Sequence, residues 1–154
     1  MQYLRKVNIS DMDMLFQWAN DEDVRSYAFN TEKIEYSVHK DWFINRYKSE
    51  QCSIFILMDN DDPIGQIRLD YKKEKAYIDY SIQKKHRNRG FGTIILKLVE
   101  QELIIRNKNL TLVAQVKKEN SSSINRFEKL GYLCSEYPSY FEFSKEIKGM
   151  EAEL

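Results

Sequence analysis

The sequence predicts an α+β (mixed α/β) fold in which helices flank a largely antiparallel central sheet. Stretches of alternating or continuous apolar residues indicate strands, and stretches with helical apolar spacing indicate helices. Their order, β-α-α-β-β-β-α-β-α-β, lacks the strict alternation of a dinucleotide-binding fold. The length of 154 residues and the 42% hydrophobic content suit a single domain spanning residues 1–154 with a sizeable core.

The N-terminal half begins with a predicted strand over residues 3–7 and continues with two helices. Ser10 is a suitable N-cap for the first helix, in which Leu15 and Trp18 recur at helical spacing. Ser37 is a suitable N-cap for the second helix. A short apolar run over 52–58 then predicts a buried strand, and the turn-forming residues 59–63 predict a hairpin.

The C-terminal half alternates strands and helices. Apolar and polar residues alternate as they do in half-buried antiparallel strands, and a long apolar helix follows the second of these strands. Gly131 stands where a left-handed C-cap would end the last helix. The predicted strands cover 64–71, 77–82, 110–116 and 137–144, the helices cover 91–106 and 121–130, and the charged end 145–154 is expected to be loosely held.

The composition excludes several classes of protein. Lys plus Arg and Asp plus Glu number 24 each, so the formal net charge is zero and we expect no nucleic-acid partner. No apolar run approaches the roughly 20 residues that span a bilayer, and no secretory signal is present, so we expect a cytoplasmic monomer or homodimer without a membrane partner. Two cysteines and two histidines, far apart in the chain, show no metal-binding spacing.

A short basic loop with two glycines joins a predicted strand to the long helix that begins near residue 91. Gly90 and Gly92 allow the backbone to turn tightly and to approach a ligand closely. The free amides and the dipole of the helix start favour an anion, and Lys84, Lys85, Arg87 and Arg89 add positive charge. The loop is either a phosphate site or a plain helix-capping turn with a solvated basic surface. The spacing excludes a P-loop, and Ile95 replaces the third glycine of a dinucleotide fingerprint.

Two motifs carry a resemblance to a known family. Arg87, Gly90 and Gly92 match the [Gln/Arg]-x-x-Gly-x-[Gly/Ala] signature of the GNAT superfamily of N-acetyltransferases. Downstream, the segment from Asn120 to Tyr132 resembles the helix that carries the second motif of that family. The resemblance extends over nearly the whole chain, from about residue 3 to residue 143.

The resemblance implies that acetyl-CoA is the co-substrate and that splayed fourth and fifth strands leave room for its pantetheine arm beside residues 80–82. The pyrophosphate would lie on the backbone amides of Arg87 through Thr93, and Asn120 would help to hold the arm near the thioester. The residues implied in cofactor binding are Ile82, Arg87, Asn88, Arg89, Gly90, Phe91, Gly92, Thr93, Asn120, Ser123 and Phe127.

The chemistry requires a base for the amine, a donor to the thioester carbonyl and a proton for the departing thiolate. Family members often carry Glu at the position of Tyr77. Asp79, two residues on and on the same strand face, is the candidate catalytic base; the alternative is a surface Asp paired with a nearby Lys. The resemblance implies that a backbone amide near Ile82 donates a hydrogen bond to the thioester carbonyl. Phe127 replaces the usual tyrosine acid, so Ser122, Ser123, Tyr132 or water would supply the proton.

The N-terminal half contains Trp18-Ala19-Asn20-Asp21, Phe29-Asn30 and His39-x-x-Trp42-Phe43. These segments are similar to one branch of the family, which acetylates amino groups of nucleotide-linked sugars in pseudaminic-acid-type pathways. Arg25, Asn30, His39 and Arg68 are the candidate substrate contacts, although His39 is equally consistent with an exposed helix residue or a base. The predicted acceptor is the 4-amino group of a nucleotide-linked amino sugar. A protein N-terminus, an aminoglycoside or a polyamine is the alternative acceptor, and a non-catalytic acyl-CoA-binding regulator is the alternative class.

Overall fold

A computed structural model describes residues 1–150 of the chain. Its seven strands form one sheet in the order β1-β2-β3-β4-β5-β7-β6. The strands are β1 (Gln2–Lys6), β2 (Cys52–Asp59), β3 (Asp62–Lys72), β4 (Lys75–Ile82), β5 (Leu110–Lys117), β6 (Leu133–Glu136) and β7 (Tyr140–Ile147). The helices are α1 (Met12–Ala19), α2 (Glu22–Tyr27), α3 (Tyr36–Lys48), α4 (Phe91–Ile105) and α5 (Ser121–Lys129), and short 3-10 helices lie at Ile9–Asp11 and Lys84–His86.

The sheet is antiparallel except where β4 meets β5. These two strands are parallel and pair only from Lys75 opposite Thr111 to Tyr77 opposite Val113. Beyond Tyr77 they diverge, while β4 stays paired with β3 as far as Ile82. The predicted α+β fold with splayed fourth and fifth strands is therefore confirmed.

Two apolar cores lie on opposite faces of the sheet. Leu57 and Phe55 of β2 belong to the larger core, which α4 and α5 cover, whereas Ile54 and Ile56 belong to the smaller core under α1 and α3. Burial on both faces explains why the residues of β2 form a continuous apolar run instead of an alternating pattern.

The start of the first helix differs from the prediction. Ser10 is not its N-cap, because a 3-10 turn comes first and α1 begins at Met12. Asp11 holds that turn by accepting from the amide of Asn8 at 2.7 Å and from Arg5 at 2.8 and 2.9 Å. Likewise α3 already begins at Tyr36, one residue before the predicted cap at Ser37.

Helix α2 was not predicted. Asp21 caps it, since its side chain accepts from the amides of Asp23 and Val24 at 3.1 and 3.2 Å. The helix is short, and none of its residues is buried, so it carries no apolar pattern that sequence reasoning could detect.

The predicted last strand over 137–144 corresponds to β7, which begins at Tyr140 and ends at Ile147, and strand β6 before it was not predicted. Strands β6 and β7 form a hairpin, and its turn is closed by the amide of Tyr137 donating to the carbonyl of Tyr140 at 2.9 Å. The end of the chain is also better held than expected as far as Ile147, which lies in β7 and is 4% exposed. The last part of that predicted loose end, 151–154, lies outside the described residues.

Cys52 and Cys134 are both free thiols. Among residues 1–150 no group of three or more His, Cys, Asp or Glu side chains could hold a metal ion. Across the same residues, no helix has the length and apolar character that crossing a membrane requires.

Candidate active site

A cavity of about 800 Å³ opens where β4 and β5 diverge. Side chains alternate along β4, so Asp79 lies on the face covered by α1 and α3, and Tyr80 lies on the face covered by α4 and α5. Both residues line the cavity, as do residues of all five helices. The cavity therefore extends to both faces of the sheet at the point where the sheet is split.

The glycine loop forms one end of the cavity. Gly90 adopts the left-handed conformation, with φ of 83°, at the N-cap of α4. The amide of Ile94 donates to the carbonyl of Gly90 at 3.2 Å, but within residues 1–150 the amides of residues 88–93 have no hydrogen-bond partner. Unpartnered amides at the positive end of a helix dipole form an anion site.

Arg87 differs from the other loop residues because both its amide and its side chain are hydrogen-bonded within the fold. Its amide donates to the carbonyl of Lys84 at 3.3 Å, so the unpartnered amides begin at Asn88. Its guanidinium donates to the carbonyl of Ile82 and to the carboxylates of Asp21 and Asp23, each at 2.9 Å. The expectation that the Arg87 side chain supplies free charge for a phosphate is wrong, because this side chain ties the loop to the first turn of α2.

Arg89 keeps more of its charge available. Its guanidinium lies 5.2 Å from the centroid of the Phe91 ring and 3.2 Å from Nδ1 of His86. Thr93 completes the first turn of α4. The loop therefore presents amides and the Arg89 cation, and Arg87 acts within the fold.

The second motif lies across the cavity, on α5. Asn120 caps this helix by accepting from the amide of Ser123 at 3.3 Å. The hydroxyls of Ser123 and Tyr80 are 2.7 Å apart, and Nη1 of Arg126 donates to the Tyr80 hydroxyl at 2.8 Å. Phe127 is 1% exposed, and its ring packs edge-on against Tyr80.

Gly92 has a role in packing that sequence reasoning did not find. A Cβ atom at this position would lie 2.6 Å from Cζ of Arg126. The absent side chain thus leaves room for the Arg126 guanidinium beside the glycine loop. Nε of Arg126 is buried and has no hydrogen-bond partner within the described part of the chain.

Asp79 is the half-exposed carboxylate on the other face of β4. Its side chain is 54% exposed, and Oδ2 lies 3.3 Å from Nη1 of Arg68. Arg68 also donates to Asp70 at 3.0 Å and lies 5.0 Å from the centroid of the Trp42 ring. The partner of Asp79 is therefore an arginine rather than the lysine of the alternative interpretation.

The other predicted substrate contacts are largely engaged within the fold. Arg25 donates to the carbonyls of Ala19, Asn30 and Glu32 at 2.8, 2.9 and 3.3 Å. The side chain of Asn30 accepts from the amide of Glu32 at 3.1 Å. These bonds shape the segment between α2 and α3, although Arg25 and Asn30 both line the cavity.

His39 is buried, at 3% exposure, so the prediction of an exposed helix residue is wrong. Its Nε2 lies 3.1 Å from the carbonyl of Met12, which can only accept, so Nε2 carries the proton. Burial lowers the pKa of this imidazole, with the rings of Phe16 and Trp42 beside it. His39 is therefore a neutral ring at the wall of the cavity.

Sequence reasoning missed two side chains of the site, Tyr80 and Arg126. It treated Tyr80 only as part of a strand edge and did not consider Arg126. The signal was present in the alternation of β4, which places Tyr80 opposite to Asp79, and in the helical position of Arg126 three residues after Ser123.

Comparisons with known proteins agree with this geometry. Residues 3–133 match the family model of the acetyltransferase (GNAT) domain. An uncharacterized N-acetyltransferase p20 of Bacillus licheniformis is 29% identical over 138 residues, which cover 84% of this chain and 77% of that protein.

Solved structures show the same fold at low sequence identity. Spermidine N-acetyltransferase of Vibrio cholerae, in complex with CoA and spermine, has a TM-score of 0.84 at 17% identity and covers 94% of this chain and 95% of its own. An aminoglycoside acetyltransferase in complex with coenzyme A and kanamycin has a TM-score of 0.78 at 15% identity and covers 95% of each chain. Since the family model also spans most of the sequence, the chain belongs to the acetyltransferase (GNAT) family and is an acetyl-CoA-dependent acetyltransferase.

Proposed function

We propose that this chain transfers the acetyl group of acetyl-CoA to the 4-amino group of a nucleotide-linked amino sugar, by direct attack in a ternary complex. The observation that carries the reaction is the cavity between the diverging strands, which has unpartnered amides at one end and a carboxylate at the other. Direct attack needs both substrates in one cavity, and an opening onto both faces of the sheet allows that.

Backbone groups support the proposal that acetyl-CoA binds at the glycine-loop end of the cavity. The amides of residues 88–93 receive the pyrophosphate, and the Arg89 cation is close by. Beyond Tyr77, no strand of residues 1–150 pairs with the edge of β4 that faces β5, so an extended pantetheine arm can bond there as an added strand would. In this arrangement the amide of Ile82 donates to the thioester carbonyl, and Asn120, Ser123 and Phe127 flank the arm.

Asp79 acts as the base of the reaction. An alkyl ammonium must lose a proton before its nitrogen can attack, and an ionised carboxylate that faces the cavity can accept this proton directly or through water. The 54% exposure of the side chain leaves room for that water.

The balance of carboxylates and arginines along the cavity argues against a polycationic acceptor. Asp23 and Asp79 line the cavity, but so do Arg25 and Arg68, and both carboxylates are in ion pairs with arginines. A site for a polyamine would need surplus negative charge. An amine attached to an anionic nucleotide suits a site with arginines, and the similarity of the N-terminal half to amino-sugar acetyltransferases points the same way.

The test is thiol release from acetyl-CoA with a panel of amines under identical conditions. We expect the highest kcat/KM with a nucleoside-diphosphate-linked 4-amino sugar and lower values with spermidine, kanamycin and a peptide with a free N-terminus. Higher kcat/KM for spermidine or kanamycin would contradict the proposed acceptor but not the acetyl transfer. Tight acetyl-CoA binding without turnover on any amine would contradict catalysis and favour a regulator.

A further inference from the structure

We propose that the hydroxyl of Tyr80 donates the proton to the departing thiolate, and that Arg126 and Ser123 hold this hydroxyl in place. The proposal rests on the proposed function, because it assigns the acid of that same acetyl transfer. It begins from Phe127, which stands at the position where the resemblance implies a tyrosine and which has no proton to give.

Phe127 is enclosed by aromatic rings, two of which belong to tyrosines. The ring centroids of Tyr80 and Tyr132 lie 6.0 and 4.9 Å from that of Phe127. Of these two tyrosines, Tyr80 lines the cavity and Tyr132 does not. The hydroxyl of Tyr132 donates to Glu100 at 3.0 Å, and burial raises the pKa of this phenol. Tyr80 is therefore the tyrosine that takes the place of the missing hydroxyl.

The hydrogen bonds around Tyr80 leave its proton available. Arg126 can only donate, so the phenol oxygen accepts from Nη1 and the phenol proton points elsewhere. Ser123, whose hydroxyl lies 2.7 Å away, can rotate to donate to the phenol oxygen, which leaves the phenol proton free for the sulfur. When the proton leaves, the Arg126 guanidinium lies at 2.8 Å from the new tyrosinate and stabilises its charge.

Tyr80 and Asp79 are consecutive residues on opposite faces of β4, beyond the last residue paired with β5. A thioester held between the diverging strands therefore meets the base on one face and the acid on the other. The amine approaches from the Asp79 side, and the sulfur departs toward the Tyr80 side. The base and the acid therefore stand on opposite sides of the thioester, where one can serve the incoming amine and the other the departing sulfur.

The protons and electrons of the step balance. Asp79, directly or through water, takes one proton from the ammonium, and the nitrogen lone pair forms the C–N bond. The C–S bond breaks with its electron pair on sulfur, and the Tyr80 proton moves to that sulfur and gives the free thiol. The amide nitrogen loses its second proton to water in the cavity, and the tyrosinate regains a proton from that water. A phenol, with an ordinary pKa near 10, is a far stronger acid than the hydroxyls of Ser122 and Ser123.

The test is Tyr80→Phe, which keeps the ring and removes only the hydroxyl. Tyr71→Phe is the matched control, since the Tyr71 hydroxyl also bonds a serine, Ser53, at 2.9 Å on the neighbouring strand but does not line the cavity. We expect kcat of Tyr80→Phe to fall about 100-fold, the scale of one acid–base group, with the KM for acetyl-CoA changed less than about twofold. Tyr71→Phe should retain the wild-type kcat.

Unchanged kcat in Tyr80→Phe would overturn the proposal. A raised KM for acetyl-CoA with unchanged kcat would also overturn it, because it would show that the hydroxyl only positions Arg126 beside the glycine loop. A wild-type chain that turns over no amine at all would instead overturn the proposed function, and the proton donor with it.

Discussion

The two ends of the cavity are built from different parts of the chain. At the cofactor end the groups that face the ligand are mostly backbone amides, freed by a left-handed glycine and by the start of α4. At the acceptor end they are side chains, and the arginines among them also bond to carbonyls and carboxylates of the fold. A backbone site is recognisable from a short motif, whereas a side-chain site depends on contacts that only the folded chain brings together.

The largest expected effect is the loss of activity on removing the Asp79 carboxylate, which tests whether this group is the base or only an ion-pair partner of Arg68. In Asp79→Asn, kcat should fall about 100-fold, since loss of a general base typically costs that much or more. The loss should be greatest at acidic and neutral pH, where the amine is protonated, and should shrink in alkali. The measurement is kcat across the pH range.

Asp70→Asn is the control, because Asp70 also pairs with Arg68 but does not line the cavity. If Asp79 served only to hold Arg68, both variants would lose activity alike. That outcome would remove Asp79 as the base.

The second effect tests the cofactor end. Gly90→Asp places a negative charge beside the unpartnered amides and should weaken acetyl-CoA binding about 30-fold, or about 2 kcal/mol. Gly131→Asp is the matched control, since Gly131 is equally left-handed, with φ of 86°, and a side chain would meet nothing within 4 Å at either glycine. Calorimetric titration should show normal affinity in the control, and equal loss in both variants would point to backbone strain rather than a phosphate site.

Much of the fold was predictable from the sequence because burial produces regular patterns. Strands β2 to β5 and helix α4 carry apolar residues at strand or helix spacing, and the predicted bounds differ only at the ends. Strand β6 could not be found, since all four of its residues are exposed. Helix α2 has no buried residue and depends on Asp21 and on its contacts with Arg87.

The site was predictable to a different degree at its two ends. The glycine loop and Asn120 belong to motifs in which sequence neighbours act together, so they were found. The network of Tyr80, Ser123 and Arg126 joins β4 to α5 across the cavity, and nothing in the local sequence links Tyr80 to the two residues of α5. Arg25 was expected to contact a substrate, but a guanidinium can equally donate to nearby carbonyls, and the sequence does not show which partner is present.

The third effect concerns this double role of the acceptor-end arginines. Arg25→Met removes the donors to three carbonyls and should lower the free energy of unfolding by about 1–2 kcal/mol, as loss of charged hydrogen bonds does. Urea unfolding measures it, with Lys40→Met, an exposed change on α3, as the control. Unchanged stability in Arg25→Met would show that the guanidinium is free to serve the acceptor.

The smallest effect tests the contact that ties the glycine loop to α2. Burial alone would raise the pKa of Asp21, but hydrogen bonds from Arg87 and from the amides of Val24 and Asp23 outweigh it and hold the pKa below its ordinary value. A lowered carboxyl pKa stabilises the fold above the unfolded value near 3.9 and loses that contribution as pH falls through the folded value.

Asp21→Asn should therefore lower the free energy of unfolding by about 1 kcal/mol at neutral pH. The decrease should be smaller in acid, where the wild type has lost the same contribution. Unfolding by urea at pH 7 and below pH 4 compares the two conditions. Asp61→Asn, an exposed change in the hairpin after β2, serves as the control. A loss in Asp21→Asn that does not diminish with acid would contradict the ion pair with Arg87.

A crystal structure of the chain with coenzyme A would test the cofactor site most directly. We expect pyrophosphate oxygens on the amides of residues 88–93 and the pantetheine arm between β4 and β5, with its sulfur on the Tyr80 side. Coenzyme A bound elsewhere, with these amides bonded only to water, would contradict this expectation.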